Sequence, residues 1–214
     1  MAMVQCILAS RQDPASATLA TQLLEHPLLK TRRLFPNQIQ VWKNCAVEIE
    51  GYLLERFQET KNALEIKRVP TKKSLHTTDQ AYSEKSAGAI PLVITNHELL
   101  FLDDIDQLIN KVLTQTFEKP IIIDLLLVLS KHSSKHPFPS LSVHSIGNFE
   151  DAELGGKPNM LVPSSAKAML FGLKAIEAAA NVLQAQSNVV QAFQEVTHHG
   201  PWVSTPTIFF EIGA

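Results

Sequence analysis

The chain has 214 residues, of which 45% are hydrophobic and 19% charged, with a formal net charge of −2. That length and apolar content suffice for a sizeable core and exclude a globally disordered chain. The balance of 19 basic against 21 acidic residues excludes a strongly basic nucleic-acid coat protein and still allows a local basic patch.

Two cysteines, Cys6 and Cys45, without CxxC spacing exclude a disulfide scaffold and a cysteine-only zinc site. The composition suits a reducing compartment. No apolar run is long enough to span a bilayer, and residues 1–6 carry no basic region of the secretory kind. A soluble cytoplasmic protein without membrane association is expected, and no protein partner is evident.

Val4–Ala9 reads as a buried first strand, followed by the polar turn Ser10-Arg11-Gln12-Asp13-Pro14. Asp13 before Pro14 predicts an N-cap and a proline in the first helical turn, opening a helix through Leu24. From about residue 50 to 90 the character changes. Arg56–Leu64 is predicted helical, and Thr71–Ala89 lacks periodicity and reads as a loop or mobile insert. Lys67-Arg68 and Lys72-Lys73 within it read first as a solvated loop and second as phosphate contacts.

Order returns near Leu92. Asp103 or Asp104 is expected to cap a helix through Gln115 whose inner face is Ile105, Leu108, Ile109, Val112 and Leu113. Pro120–Ser130 is almost all Ile, Leu and Val, the pattern of a strand covered on both faces. Leu141–Ile146 is a further strand. Ser164 or Ser165 caps a helix with Ala166, Met169, Leu170, Leu173, Ile176, Ala180 and Leu183 in register. Val189–Thr197 and Thr207–Ile212 are strands. The alternation predicts one α/β domain with a mixed or mostly parallel sheet flanked by helices.

Five of eight histidines lie between 132 and 199, mostly at or just after strand ends: His132, His136, His144, His198 and His199. Glu211 lies near the end of the last strand. Carboxyl ends of strands converge on the ligand crevice of open α/β sheets, so these groups are candidates for a zinc or acid–base site. His136 reads as exposed, and His26, His76 and His97 as isolated. His132 or His144 alone reads as structural. The pair His198-His199 is more specific, because neighbours on a strand face opposite ways and one can enter a site while the other packs behind it. Spacing alone leaves metal ligation and a structural role equally open. Gly155-Gly156 sits in a loop able to bring backbone N–H groups to an anion or ester oxygen, or to form an ordinary turn. GxGxxG, GxxxxGK[ST] and GxSxG are all absent, which disfavours nucleotide-phosphate loops and α/β-hydrolase serine chemistry.

Five blocks in order carry a resemblance: Ser130-Lys131-His132-Ser133-Ser134, Val143-His144-Ser145-Ile146-Gly147-Asn148, Gly155-Gly156, Glu195-Val196-Thr197-His198-His199-Gly200-Pro201, and Pro206 through Gly213. With the opening Ser10–Ser16 turn, they resemble the archaeal and plant-type D-aminoacyl-tRNA deacylase family. The resemblance covers roughly residues 4–40 and 90–213 and fades over 50–90. It implies hydrolysis of the ester joining a D-amino acid to tRNA, zinc as cofactor, and a fold like peptidyl-tRNA hydrolase and nucleoside phosphorylase sheets. It also implies that the family continues beyond Glu211-Ile212-Gly213, so that Ala214 would be an early end.

On that resemblance His198, His199 and Glu211 are the expected catalytic groups, and His144, His198, His199 and Glu211 the expected zinc ligands. His132, Gly155, Gly156 and Thr197 are expected to meet the substrate. Two other readings stand beside this one. The first is a nucleoside phosphorylase or metallohydrolase on the same scaffold. The second is a shortened relative that binds tRNA without turning it over.

Overall fold

The computed structural model describes residues 2–42, 45–56, 89–135, 138–184 and 189–213. The chain starts with strand β1 (Ala2–Ser10) and helix α1 (Pro14–Leu24). The long strands β2 (Leu29–Trp42) and β3 (Cys45–Arg56) follow, then β4 (Ile90–Thr95), a 3₁₀ turn at Leu99–Phe101, and helix α2 (Ile105–Phe117). Next come β5 (Ile121–Lys131), β6 (Ser140–His144) and the two-residue pair β7 (Gly147–Asn148) and β8 (Met160–Leu161). Helix α3 (Ala166–Gln184), β9 (Gln191–Gln194) and β10 (Thr207–Gly213) complete the fold.

Eight strands form one mixed sheet in the order β2-β3-β4-β1-β5-β10-β6-β9. Its centre, β4-β1-β5-β10, is parallel. β3 runs antiparallel to β4 on one side, and β6 antiparallel to β10 on the other. The mixed α/β architecture expected from the sequence is therefore present. None of the helices is long and apolar enough to cross a membrane, among the described residues.

Period-two alternation sends each central strand's side chains to two cores. Cys6 and Leu8 of β1, Leu126 and Val128 of β5 and Phe209 of β10 pack with Ile105, Leu108 and Ile109 of α2. Ala9 with Ile94 and Ala20 of α1, and Ile208 with Met169 and Ile176 of α3, fill the opposite face. Helices on both faces explain why β5 reads as a continuous apolar run.

The caps match in part. Asp13 Oδ1 accepts hydrogen bonds from the N–H groups of Ala15 (2.9 Å) and Ser16 (3.0 Å), and Ser165 Oγ accepts from Ala168 N–H (3.2 Å). Asp104 precedes α2 in a left-handed conformation and makes no side-chain cap bond. The acidic run there has a different task. Asp103 Oδ1 accepts from Trp202 N–H (2.7 Å), and buried Asp106 Oδ2 accepts from the N–H and hydroxyl groups of both Ser204 and Thr205. This socket holds the segment that leads into β10.

Other expectations shift. Arg56 ends a strand instead of opening a helix, and residues 51–56 of the expected insert belong to β3. The rest of that helix, the Thr71–Ala89 loop up to residue 88, the lysine cluster and His76 lie outside the described residues, as does His136. The strand predicted over Val189–Thr197 is only Gln191–Gln194, because β9 pairs on one side alone, with β6. Leu170, expected inside, is exposed on α3, and buried Gly172 lies under Phe210 instead. β2 was not foreseen. It is an edge strand with two register breaks around Phe35, where Pro36 is tolerated and regular alternation is lost.

Removing the Asp106 carboxylate strands the buried N–H and hydroxyl of Thr205 and takes the partner from those of the exposed Ser204. Asp106→Ala is expected to cost about 3 kcal/mol in urea unfolding, beyond the cost of a single neutral hydrogen bond. A loss below about 1 kcal/mol would show that Ser204 and Thr205 find other partners.

Candidate active site

Glu211 stands two residues beyond Phe209 on β10, so both side chains face the α2 side of the sheet. His144 pairs with Phe209 across the β6–β10 ladder, and its ring lies 5.6 Å from the phenyl ring. The ring of His199 lies 5.0 Å from Phe209. His144 is fully buried, Glu211 is 5% exposed and His199 7% exposed. Three imidazoles gather here. His144 and His198 stack at 4.5 Å between centroids, and His199 meets them edge-on at 5.0 and 4.4 Å.

The backbone fixes which nitrogen of each ring faces the centre. Nδ1 of His144 lies 3.0 Å from the Ser145 carbonyl, Nδ1 of His198 lies 2.8 Å from Val196 O, and Nδ1 of His199 lies 2.6 Å from Gly200 O. A carbonyl only accepts, so each Nδ1 carries the proton and each neutral ring keeps its lone pair on Nε2. Nε2 of His144 is buried without a hydrogen-bond partner. Nε2 of His144 and of His199 lie 3.6 and 3.7 Å from Glu211 Oε1, beyond hydrogen-bond range. The three histidines form one cluster of metal-ligand atoms within 4.8 Å of one another. Backbone-locked Nδ1–H groups with converging Nε2 lone pairs are the usual outer support of a metal-binding histidine set.

Glu211 also faces the other way. Its Oε2 lies 3.3 Å from Nδ1 of His132, and Glu195 Oε1 lies 3.0 Å from that same nitrogen. Glu195 Oε2 is 3.9 Å from Nε2 of His198. The strand reading left Glu195 unmarked among its neighbours. Only its spacing of three residues before His198 hinted at a shared face.

Electrostatics follow from burial and neighbours. Burial raises the Glu211 carboxyl, but His144 and His199 outweigh it and hold it down at about 2. Burial lowers His144, and the attraction of Glu211 more than offsets that, leaving it above the ordinary imidazole value. Burial, with the repulsion of His144 and His199, keeps His198 below it. One anion thus sits among rings that differ in proton affinity.

His198 and His199 do not face opposite ways as strand neighbours would. The strand has ended at Gln194, and His199 takes φ +49°, which turns its ring towards the same centre as His198. Thr197 Oγ1 lies 2.6 Å from Ser145 Oγ, tying the chain before the histidine pair to the chain after His144. Gly155 and Gly156 have φ +78° and +82° and pack their backbones against Gly200 and Leu100. A Cβ on Gly200 would lie 2.3 Å from Gly156 N and 2.4 Å from Leu100 O. Asn148 Nδ2 donates to Gly155 O at 2.9 Å. The two loop glycines thus pack closely beside the His199 backbone, and a side chain on Gly200 would force that backbone to shift.

The centre lies within a segment that is shared with known proteins. Residues 119–214 match the family model described as D-aminoacyl-tRNA deacylase. Over that segment the chain is similar to the D-aminoacyl-tRNA deacylases. The protein of that name from Methanoculleus marisnigri is 38% identical over 130 residues, which is 60% of this chain and 28% of the relative. The one from Caldivirga maquilingensis is 30% identical over 133 residues, 62% of this chain and 45% of the relative. The matches thus span less than half the length of these relatives. A crystal structure of a conserved protein of unknown function superposes with a TM-score of 0.63 at 23% identity, covering 100% of this chain and 56% of that one. That likeness supports the fold.

If the glycine contact positions His199, Gly200→Ala should disturb the centre while the sheet persists. The expected result is an unchanged far-ultraviolet circular dichroism spectrum with shifted His199 imidazole resonances. Unshifted resonances would detach the glycine packing from the site.

Proposed function

We propose that the chain hydrolyses the ester of D-aminoacyl-tRNA, releasing the D-amino acid and free tRNA in the cytoplasm. The observation that carries this reading is the convergence of His144, His198, His199 and Glu211, from β6, the loop after β9, and β10, inside the segment shared with the deacylases.

The same four residues are the proposed zinc ligands. Their donor set suits the ion: three neutral Nε2 lone pairs with carbonyl-braced Nδ1–H groups, one carboxylate already ionised, and an orphaned buried Nε2 on His144. Zinc bound there would supply Lewis acidity towards the ester carbonyl and a water of lowered pKa. His144 and His199 are sealed from solvent, whereas the side chains of His198 and His132 are 38% and 14% exposed. Substrate therefore approaches from the His198–His132 side. Glu195, between those two rings, orients His132 through its Nδ1 and is placed to hold a proton from an incoming water. Thr197 stands beside this entrance through its contact with Ser145. The tRNA stem would be held by local Lys and Arg side chains, with affinity falling as salt rises.

Matched D- and L-aminoacyl-tRNA distinguish the reading from its rivals. Faster release of the D-amino acid is expected, with His199→Ala losing about 10²–10⁴-fold in rate. Equal rates on the two enantiomers would refute chiral proofreading, and full activity of His199→Ala would remove that residue from the site. Elemental analysis is expected to find zinc in the wild type and to find it lost from His198→Ala. Equal zinc in both proteins would overturn the ligand assignment.

A further inference from the structure

We propose that a cleft beside the histidine centre, at the carboxyl ends of β1 and β5, seats the 3′-terminal nucleoside of the RNA, with Lys131 at its rim for the backbone phosphate. This rests on the tRNA-ester reading for the identity of the ligand. The site itself stands on topology, size and charge.

After β1 the chain builds the β4 side of the sheet, then returns through α2 to place β5 on the other side of β1. Strand order therefore reverses between β1 and β5, and α1 and α2 lie on opposite faces. Loops leaving two strands at such a reversal separate and leave a crevice, which is where open α/β sheets bind ligands. A cleft of about 310 Å³ occupies this position, with Asp13, Glu98, Leu99, Leu100, Lys131 and Ser133 among its lining residues. The volume stands near the lower end of the ~300–1,000 Å³ range of small-molecule pockets, which suits one nucleoside and excludes a duplex.

The cleft and the reaction centre share neighbouring chain segments. His132 lies between Lys131 and Ser133 in sequence, and Leu100 lies against Gly155 and Gly200, next to His199. A nucleoside seated here has its ribose end directed to the partly open His132 side.

Charge decides which part of the substrate enters. The α1 N-terminus is already filled by the Asp13 carboxylate, so it is closed to a phosphate. Asp13 Oδ2 also accepts from Lys131 N–H (2.7 Å), fixing the backbone from which the exposed Lys131 side chain leaves. On the β4 side, buried Glu50 pairs with Arg11 and Arg33, both half-exposed, and accepts from Tyr52 Oη–H at 2.8 Å. These guanidiniums lie across β4 from the cleft, and the Glu48 carboxylate stands within reach of the Arg11 charge, so the cation lining the cleft is Lys131. Beyond the centre, the loop after β7 carries the exposed carboxylates Glu150, Asp151 and Glu153. With the Asp13 and Glu98 carboxylates in the cleft wall, the uncharged nucleoside takes the cleft and its phosphate stays at the mouth beside Lys131.

The test uses a fluorescein-labelled ribotetranucleotide ending in CCA with a free 3′ hydroxyl, and anisotropy over a range of salt. Wild-type protein should bind it. Lys131→Ala should weaken binding and lower the slope of log affinity against log salt by about one. Ser133→Trp, which fills the cleft from an exposed position, and an oligonucleotide whose terminal base is missing should each abolish binding. No binding by the wild type, unchanged affinity in both variants, or full affinity without the base would overturn the proposal. The probe carries no ester, so its binding survives a failure of the deacylase reading. Conversely, an active deacylase whose KM neither variant moves would sink the cleft alone.

Discussion

A carboxylate that is 5% exposed cannot remain ionised without partners, and Glu211 finds them only if three separate chain segments meet above the end of β10. His144 arrives on the adjacent strand by ladder register. His199 arrives on a loop, and His132 from the end of β5 on the other side. Each imidazole in turn spends its Nδ1 proton on a carbonyl or on the second carboxylate, Glu195. The burial that makes the anion costly also dries the centre, where a fixed set of donors acts most strongly. Fold and proposed chemistry thus share one electrostatic condition.

That condition depends on two backbone devices away from the rings. One is the glycine contact of Gly155 and Gly156 with Gly200, which places the His199 backbone within reach of the Leu100 turn. The other is the acidic socket of Asp103 and Asp106, which grips Trp202, Ser204 and Thr205 and so aims β10. The socket touches none of the site rings, and the glycine contact touches one only through the Gly200 carbonyl at His199 Nδ1. Each restrains the short path from His199 to Thr205, and the freedom of that path is what a loosely held histidine would exploit.

Much of this was legible in the sequence, and for definite reasons. The first strand and turn could be read because Asp13 and Pro14 each have a local role that tertiary contacts did not override. β5 could be read because burial on both faces leaves an uninterrupted apolar run. The converging histidines could be read from their position at strand ends and from the blocks that resemble the deacylases. Where reading failed, packing was decided by partners distant in sequence. Asp103 and Asp106 look like helix-start residues, yet their partners lie about a hundred residues on. β2 carries a proline and breaks its alternation because only one side of it is paired. Glu195 resembled any polar residue on a short strand until His132 was folded against it. The shared facing of His198 and His199 came from a left-handed φ that strand periodicity does not foresee.

The central claim is that Glu211 and His199 act as one unit in ester hydrolysis. The direct measurement is a double-mutant cycle on kcat/KM for D-aminoacyl-tRNA with His199→Ala, Glu211→Gln and the combined variant. Residues serving a single centre lose their effect once the other is gone, so the double variant should be no slower than the slower single variant. Losses that multiply independently would contradict a shared centre and leave the two residues as separate contributors.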